Sequence, residues 1–89
     1  MSRELQARYD SRKSFYGKAT ILNHGEKLIL VSYTTQVATI ENGVAVVHGT
    51  HGVTTLRHIK EFLLQNGFKA DSKKQIENDY MGGVSIWDN

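Results

Sequence analysis

KLILVSYTTQVATIENGVAVVH, residues 27–48, decides the fold. Lys27–Tyr33 is rich in apolar, β-prone residues and reads as a strand. Thr35–Ile40 reads as the next strand, and Val44–His48 as its returning partner. Between these two, Glu41-Asn42-Gly43 is the strongest turn signal in the chain, because Asn-Gly supplies the positive φ values of a tight hairpin. Tyr33-Thr34-Thr35 admits two readings. A turn there gives a four-stranded meander, and a bulge gives three strands, one long and bent.

Toward the N-terminus, Ser14–Leu22 alternates. Phe15, Gly17, Ala19 and Ile21 share one face of a strand, and Tyr16, Lys18, Thr20 and Leu22 the other. Asn23-His24-Gly25-Glu26 turns this strand into the one that starts at Lys27. Residues 2–9 are expected as a short helix, with Leu5 and Tyr9 one turn apart.

Toward the C-terminus, Gly49-Thr50-His51-Gly52 breaks the strand and a helix follows over 54–66, with Thr54 or Thr55 as N-cap. Leu56, Ile59, Phe62 and Leu63 form its apolar stripe, while Arg57, His58, Glu61 and Gln65 are expected to point away. Asn66-Gly67-Phe68 reads as a helix stop, with Gly67 at C′ and Phe68 folded back on the last turn. Residues 69–89 are polar and acidic. Val84-Ser85-Ile86-Trp87 reads as an edge strand or a tail, its tryptophan packed on the core or held for a partner.

The expectation is one α+β domain over 1–89. It has a basic segment over 1–13, antiparallel strands over 14–48 forming a sheet of three to four strands, and one main amphipathic helix on one face. The predicted core is Phe15, Ala19, Ile21, Leu28, Leu30, Val37, Val46, Leu56, Ile59, Phe62 and Leu63.

The 89 residues suffice for one hydrophobic core and carry a net charge of +2. Residues 1–18 hold five basic and two acidic side chains, and residues 57–74 the same numbers. Residues 75–89 hold three acidic and no basic ones. The balance argues against an acidic mimic of nucleic acid and permits polyanion binding. The chain has no cysteine, which excludes disulfides and thiolate zinc sites. The polar N-terminus does not read as a signal peptide, and no apolar run is long enough to span a bilayer. A cytoplasmic, membrane-free protein is expected.

No catalytic pattern emerges. His48, His51 and His58 lack the spacing of a zinc motif, so neither a metal site nor a cofactor is expected. The chain has no Gly-x-Ser-x-Gly elbow and no phosphate-binding P-loop. Arg12-Lys13-Ser14-Phe15-Tyr16-Gly17-Lys18 sets two aromatics among three cations, a composition that can stack bases and hold phosphates. Since Phe15 and Tyr16 face opposite ways on a strand, at most one is core. The packing alternative has Phe15 inside and Tyr16 as a surface aromatic.

Three motifs in order carry a resemblance. They are Tyr9-Asp10-Ser11-Arg12-Lys13-Ser14-Phe15-Tyr16-Gly17-Lys18-Ala19, then Ser32-Tyr33-Thr34-Thr35 with Val37-Ala38, then Thr54-Thr55-Leu56-Arg57-His58-Ile59-Lys60-Glu61-Phe62. Together, over residues 9–68, the chain resembles a family of small uncharacterised proteins carried by phages, prophages and plasmids of Firmicutes. The resemblance implies a non-enzymatic accessory protein that binds and blocks a host protein, on the pattern of anti-CRISPR inhibitors of a defence nuclease such as Cas9. The alternative is a basic nucleic-acid-binding accessory module. Arg12, Lys13, Tyr16, Arg57, His58 and Lys60 are the expected partner-binding residues, because packing does not account for them and arginine and tyrosine dominate binding hot spots.

Overall fold

The computed structural model of the chain describes residues 2–50 and 52–81. Its strands are β1 (Ser2–Glu4), β2 (Ala19–His24), β3 (Lys27–Ser32), β4 (Thr35–Glu41) and β5 (Val44–Val47). Helix α1 (Val53–Gln65), helix α2 (Lys73–Ile76) and a π-helical turn (Glu77–Met81) follow. The strands form one sheet in the order β1-β2-β3-β4-β5, each antiparallel to the next. The fold is α+β and the sheet a meander, but with five strands and a second helix where three to four strands and one main helix were expected.

The extra strand lies within the segment expected as a helix. Ser2–Glu4 pairs with Thr20–Leu22 of β2. An isolated helix of eight residues is marginal in water. The open edge of β2 offers the same main-chain groups a row of partners at once. The strand expected from Ser14 begins only at Ala19. Ahead of it, residues 15–18 form a turn in which Lys18 N–H donates to the Phe15 carbonyl at 2.9 Å. The central residues Tyr16 and Gly17 have φ of 53° and 76°. Glycine inside an apparent strand weakens it, and here it marks the turn.

Of the two readings of Tyr33-Thr34-Thr35, the turn is the one observed, and the sheet's bulge occurs elsewhere. Tyr33-Thr34 is a two-residue turn between β3 and β4, with Tyr33 at φ 58°. The bulge lies beyond it. Leu30 faces Ala38 while Val31 faces Gln36, so Val37 is an extra residue in β4. Val37 and Ala38 are consequently both buried.

The Asn42-Gly43 turn sets Ile40 opposite Ala45 and Ala38 opposite Val47. Cross-strand partners share a face, so Ala45 and Val47 enter the core. Val46 sits opposite Thr39, which corrects its expected core position.

Helix α1 buries Ile59, Phe62 and Leu63 in a cluster with Ala19, Ile21, Leu30, Ile40 and Val47. Leu28 and Leu56 pack against this cluster half-buried. The N-cap is Gly52 at φ 81°, with no side-chain cap, so neither Thr54 nor Thr55 holds that place. Positive φ at this position suits glycine and not threonine. The C-terminus closes as expected. Gly67, at φ 83°, donates to the Leu64 carbonyl and Phe68 N–H to the Leu63 carbonyl, the paired bonds of a Schellman stop.

The connection over residues 5–18 supplies what the helix stripe did not announce. Leu5 and Phe15 join the core from it. It also bonds to the helix residues Arg57, Glu61 and Gln65. α1 therefore packs on the sheet and is also covered by this connection. His58 and Glu61, expected outside, are 0% and 1% exposed. The Val84–Trp87 stretch and His51 lie outside the described residues.

Candidate functional site

Glu61 fastens the connection to the helix. Its Oε1 accepts the N–H groups of Tyr9 and Asp10 at 2.8 and 2.9 Å. Its Oε2 accepts the Gln65 side-chain amide at 2.6 Å, and that amide also donates to the Gln6 carbonyl. One turn earlier on the helix, Arg57 Nη1 donates to Asp10 Oδ1 at 2.9 Å. The same Asp10 oxygen accepts from Arg12 N–H. A carboxylate with several donors holds buried charge that would otherwise be costly. The arrangement fixes the backbone that carries Arg12 beside the helix that carries Arg57.

The turns at 15–18 and 33–34 lie against each other. Tyr33 N–H donates to the Lys18 carbonyl at 2.7 Å. Tyr16 N–H is held by Ser14 Oγ, and Gly17 N–H by Glu4 Oε2. The pair Tyr16-Gly17, at φ 53° and 76°, repeats the values of Asn42-Gly43 at 53° and 77°. Glycine suits the first of these positions because it lacks a Cβ and asparagine because its short polar side chain bonds locally, and tyrosine has neither advantage. Tyr33 is strained in the same way. Yet the two rings gain little packing in return, since Tyr16 is 73% and Tyr33 53% exposed. Both border one cavity of about 190 Å³, lined also by Arg12, Lys18, Arg57 and His58.

His58 is the polar residue beneath this cavity. Its Nδ1 lies 2.8 Å from Ser32 Oγ, which lies 3.0 Å from Thr55 Oγ1. Phe15 meets the imidazole edge-on at 4.7 Å between centroids, and Tyr33 is tilted over it at 6.0 Å. Nε2 is buried and has no hydrogen-bond partner among the described residues. Burial lowers the imidazole's pKa below its usual 6.5, Asp10 opposes this, and Arg12 adds to it. In the unfolded chain the imidazole regains its ordinary affinity for protons. As pH falls below about 6.5, the unfolded state therefore binds more protons than the folded one, and stability declines. A series of melting temperatures from pH 8 to pH 5 is expected to show this loss, with a smaller slope in His58→Gln.

Of the six expected binding residues, Arg12, Tyr16, Arg57 and His58 come together at the cavity. Lys60 lines two adjoining depressions with Tyr9, Asp10 and the shared Arg57. Lys13 is exposed and borders none of these three cavities. Lys18 and Tyr33 were missed as site residues. In the sequence Lys18 reads as a strand position and one of the three cations of residues 12–18, and Tyr33 as part of a turn or bulge; only the adjacency of two turns brings them to the cavity. Among the described residues no group of three or more His, Asp or Glu side chains is placed to hold a metal. No helix among them is long and apolar enough to cross a membrane.

Chemically the cavity offers three cations, two exposed phenol rings and one unpartnered imidazole nitrogen. Such a set is chemically suited to an anionic group next to a flat one. No curated protein and no solved structure matches the chain. A family pattern does match, over residues 3–78, and it spans every residue of the cavity; the chain belongs to DUF8033, a family of unknown function.

Proposed function

We propose that this chain is a non-enzymatic binding module that holds single-stranded nucleic acid at the Arg12–Tyr16–Lys18–Tyr33–Arg57 cavity. The observation that carries this reading is the pair of exposed tyrosines kept in left-handed backbone conformations at one cationic cavity. Strain of this kind persists where function requires a side chain at that place. Aromatic rings stack bases irrespective of sequence, and neighbouring cations hold the phosphates. The cavity is smaller than the roughly 300–1,000 Å³ of a site for a whole small-molecule ligand. It suits one unit of a polymer.

The reading is tested by fluorescence anisotropy with labelled oligothymidylate and a duplex of equal length. Tighter binding of the single strand is expected, with log K falling against log salt at a slope of about −2 for three phosphate contacts. Equal affinity for both forms, or no dependence on salt, overturns it. Arginine and tyrosine also suit a protein partner. An accessory protein of a phage or plasmid that blocks a host defence nuclease is the reading to which a failed nucleic-acid test returns. It rests on the family resemblance and not on the cavity's chemistry.

A further inference from the structure

We infer that His58 is a ligand of the bound phosphate, donating from Nε2 in its protonated form, so that this site takes up a proton together with its anion. The inference rests on the nucleic-acid reading of the cavity and assigns the phosphoryl contact within it.

The geometry favours one donor arrangement. The chain His58 Nδ1–Ser32 Oγ–Thr55 Oγ1 anchors one ring nitrogen at 2.8 Å and leaves the other free. In the imidazolium, Nδ1–H donates to Ser32, the Ser32 hydroxyl donates to Thr55, and Nε2–H is left for a further acceptor. A buried donor without an acceptor is costly, and a phosphate oxygen supplies the acceptor. Among the described residues no side chain provides one to Nε2.

The charges around the ring explain why proton and anion arrive together. Arg12 and Lys18 reach the cavity from the 5–18 connection, and Arg57 from α1. Asp10 is engaged by Arg57, and Glu61 is occupied by three N–H donors. Ser32 and Tyr33, from the end of β3 and its turn, bring no charge at neutral pH. With the cavity empty, burial disfavours the imidazolium and Arg12 adds to this, against the opposing pull of Asp10. A phosphate reverses that balance. Tyr33, half exposed and tilted over the ring, is the group that yields to admit an oxygen to Nε2.

Two probes separate the possibilities. Oligothymidylate has no titrating group between pH 5.5 and 8, and sulfate remains a dianion over the same range. The His58 ring resonances are followed by NMR against pH in the free protein, with oligothymidylate, and with low-millimolar sulfate at constant ionic strength. Oligothymidylate is expected to raise the His58 titration midpoint. Its affinity is expected to increase as pH falls, by at most about tenfold per pH unit for one linked proton. His58→Gln keeps a neutral donor near the Nε2 position and flattens the pH dependence. Ser32→Ala retains the imidazole, frees Nδ1 and shifts the midpoint, which covers the case that His58→Gln does not fold.

An unchanged His58 midpoint in the oligothymidylate-bound protein overturns the inference and leaves the nucleic-acid reading standing. Failure of oligothymidylate to bind overturns both. A midpoint raised by sulfate but not by oligothymidylate assigns the cavity to a free anion and overturns the nucleic-acid contact.

Discussion

Replacing Glu61 with alanine is expected to lower the unfolding free energy by about 2–4 kcal/mol, the cost of stranding several donors in a partly buried setting. In a domain of this size that is a drop in melting temperature of roughly 10–25 °C. The carboxylate is 1% exposed and takes the Tyr9 and Asp10 amides on one oxygen and the Gln65 amide on the other. Alanine leaves all three donors without that acceptor and removes the side chain that fills the space. Glutamine is expected to be milder, at about 1 kcal/mol. It keeps the oxygen that serves the two backbone amides. Its own amide then meets that of Gln65, donor against donor, and Gln65 can turn only by giving up the Gln6 carbonyl. Thermal unfolding and amide exchange read the outcome. Faster exchange at Tyr9 and Asp10 should accompany the loss of stability in Glu61→Ala. An alanine variant that melts like the parent, with these amides still protected, would show that the connection does not depend on this carboxylate.

The second large effect separates binding from stability. Tyr16→Asn creates Asn-Gly at a turn whose φ values already match those of Asn42-Gly43. Tyr33→Gly removes the Cβ from a residue at φ 58°. Each change relieves backbone strain of about 1 kcal/mol, offset in the glycine case by a more flexible unfolded chain. Stability is therefore expected to stay level or rise by up to about 1 kcal/mol. Oligothymidylate binding is expected to weaken by about 1–3 kcal/mol for each stacking ring lost, roughly 5- to 150-fold. The combination is informative because a packing role predicts the opposite pattern, with lower stability and unaltered binding. Calorimetry of the double variant beside anisotropy with oligothymidylate decides between them. A double variant that is markedly less stable and binds as well as the parent would remove the two rings from the site.

Local chemistry was legible wherever a residue's own backbone preference decided the outcome. Asn42-Gly43 turns the chain as read, and Asn66-Gly67-Phe68 ends the helix as read. Ile59, Phe62 and Leu63 lie inward as their spacing requires. Phe15 is core and Tyr16 surface, although the reason is a turn and not an alternating strand. The readings failed where two distant segments had to meet. Residues 2–4 became a strand because β2 lay beside them. Val46 faces away from the core through the register of the β4–β5 pair. Gly17 was a visible sign that the alternating run broke early.

The candidate site divides in the same way. Arg12, Tyr16, Arg57 and His58 could be named from residue type, because packing gave no account of them. Their convergence, with Lys18 and Tyr33, could not. Sequence by itself determined the hairpin turn, the helix and its stop, since φ preference and apolar periodicity act within a few residues. The tertiary structure alone decided that His58 and Glu61 lie buried and that two tyrosine turns meet over three cations. Burial and charge neighbourhood are set by which remote chain segments close on one another, and here the 5–18 connection closes over the helix.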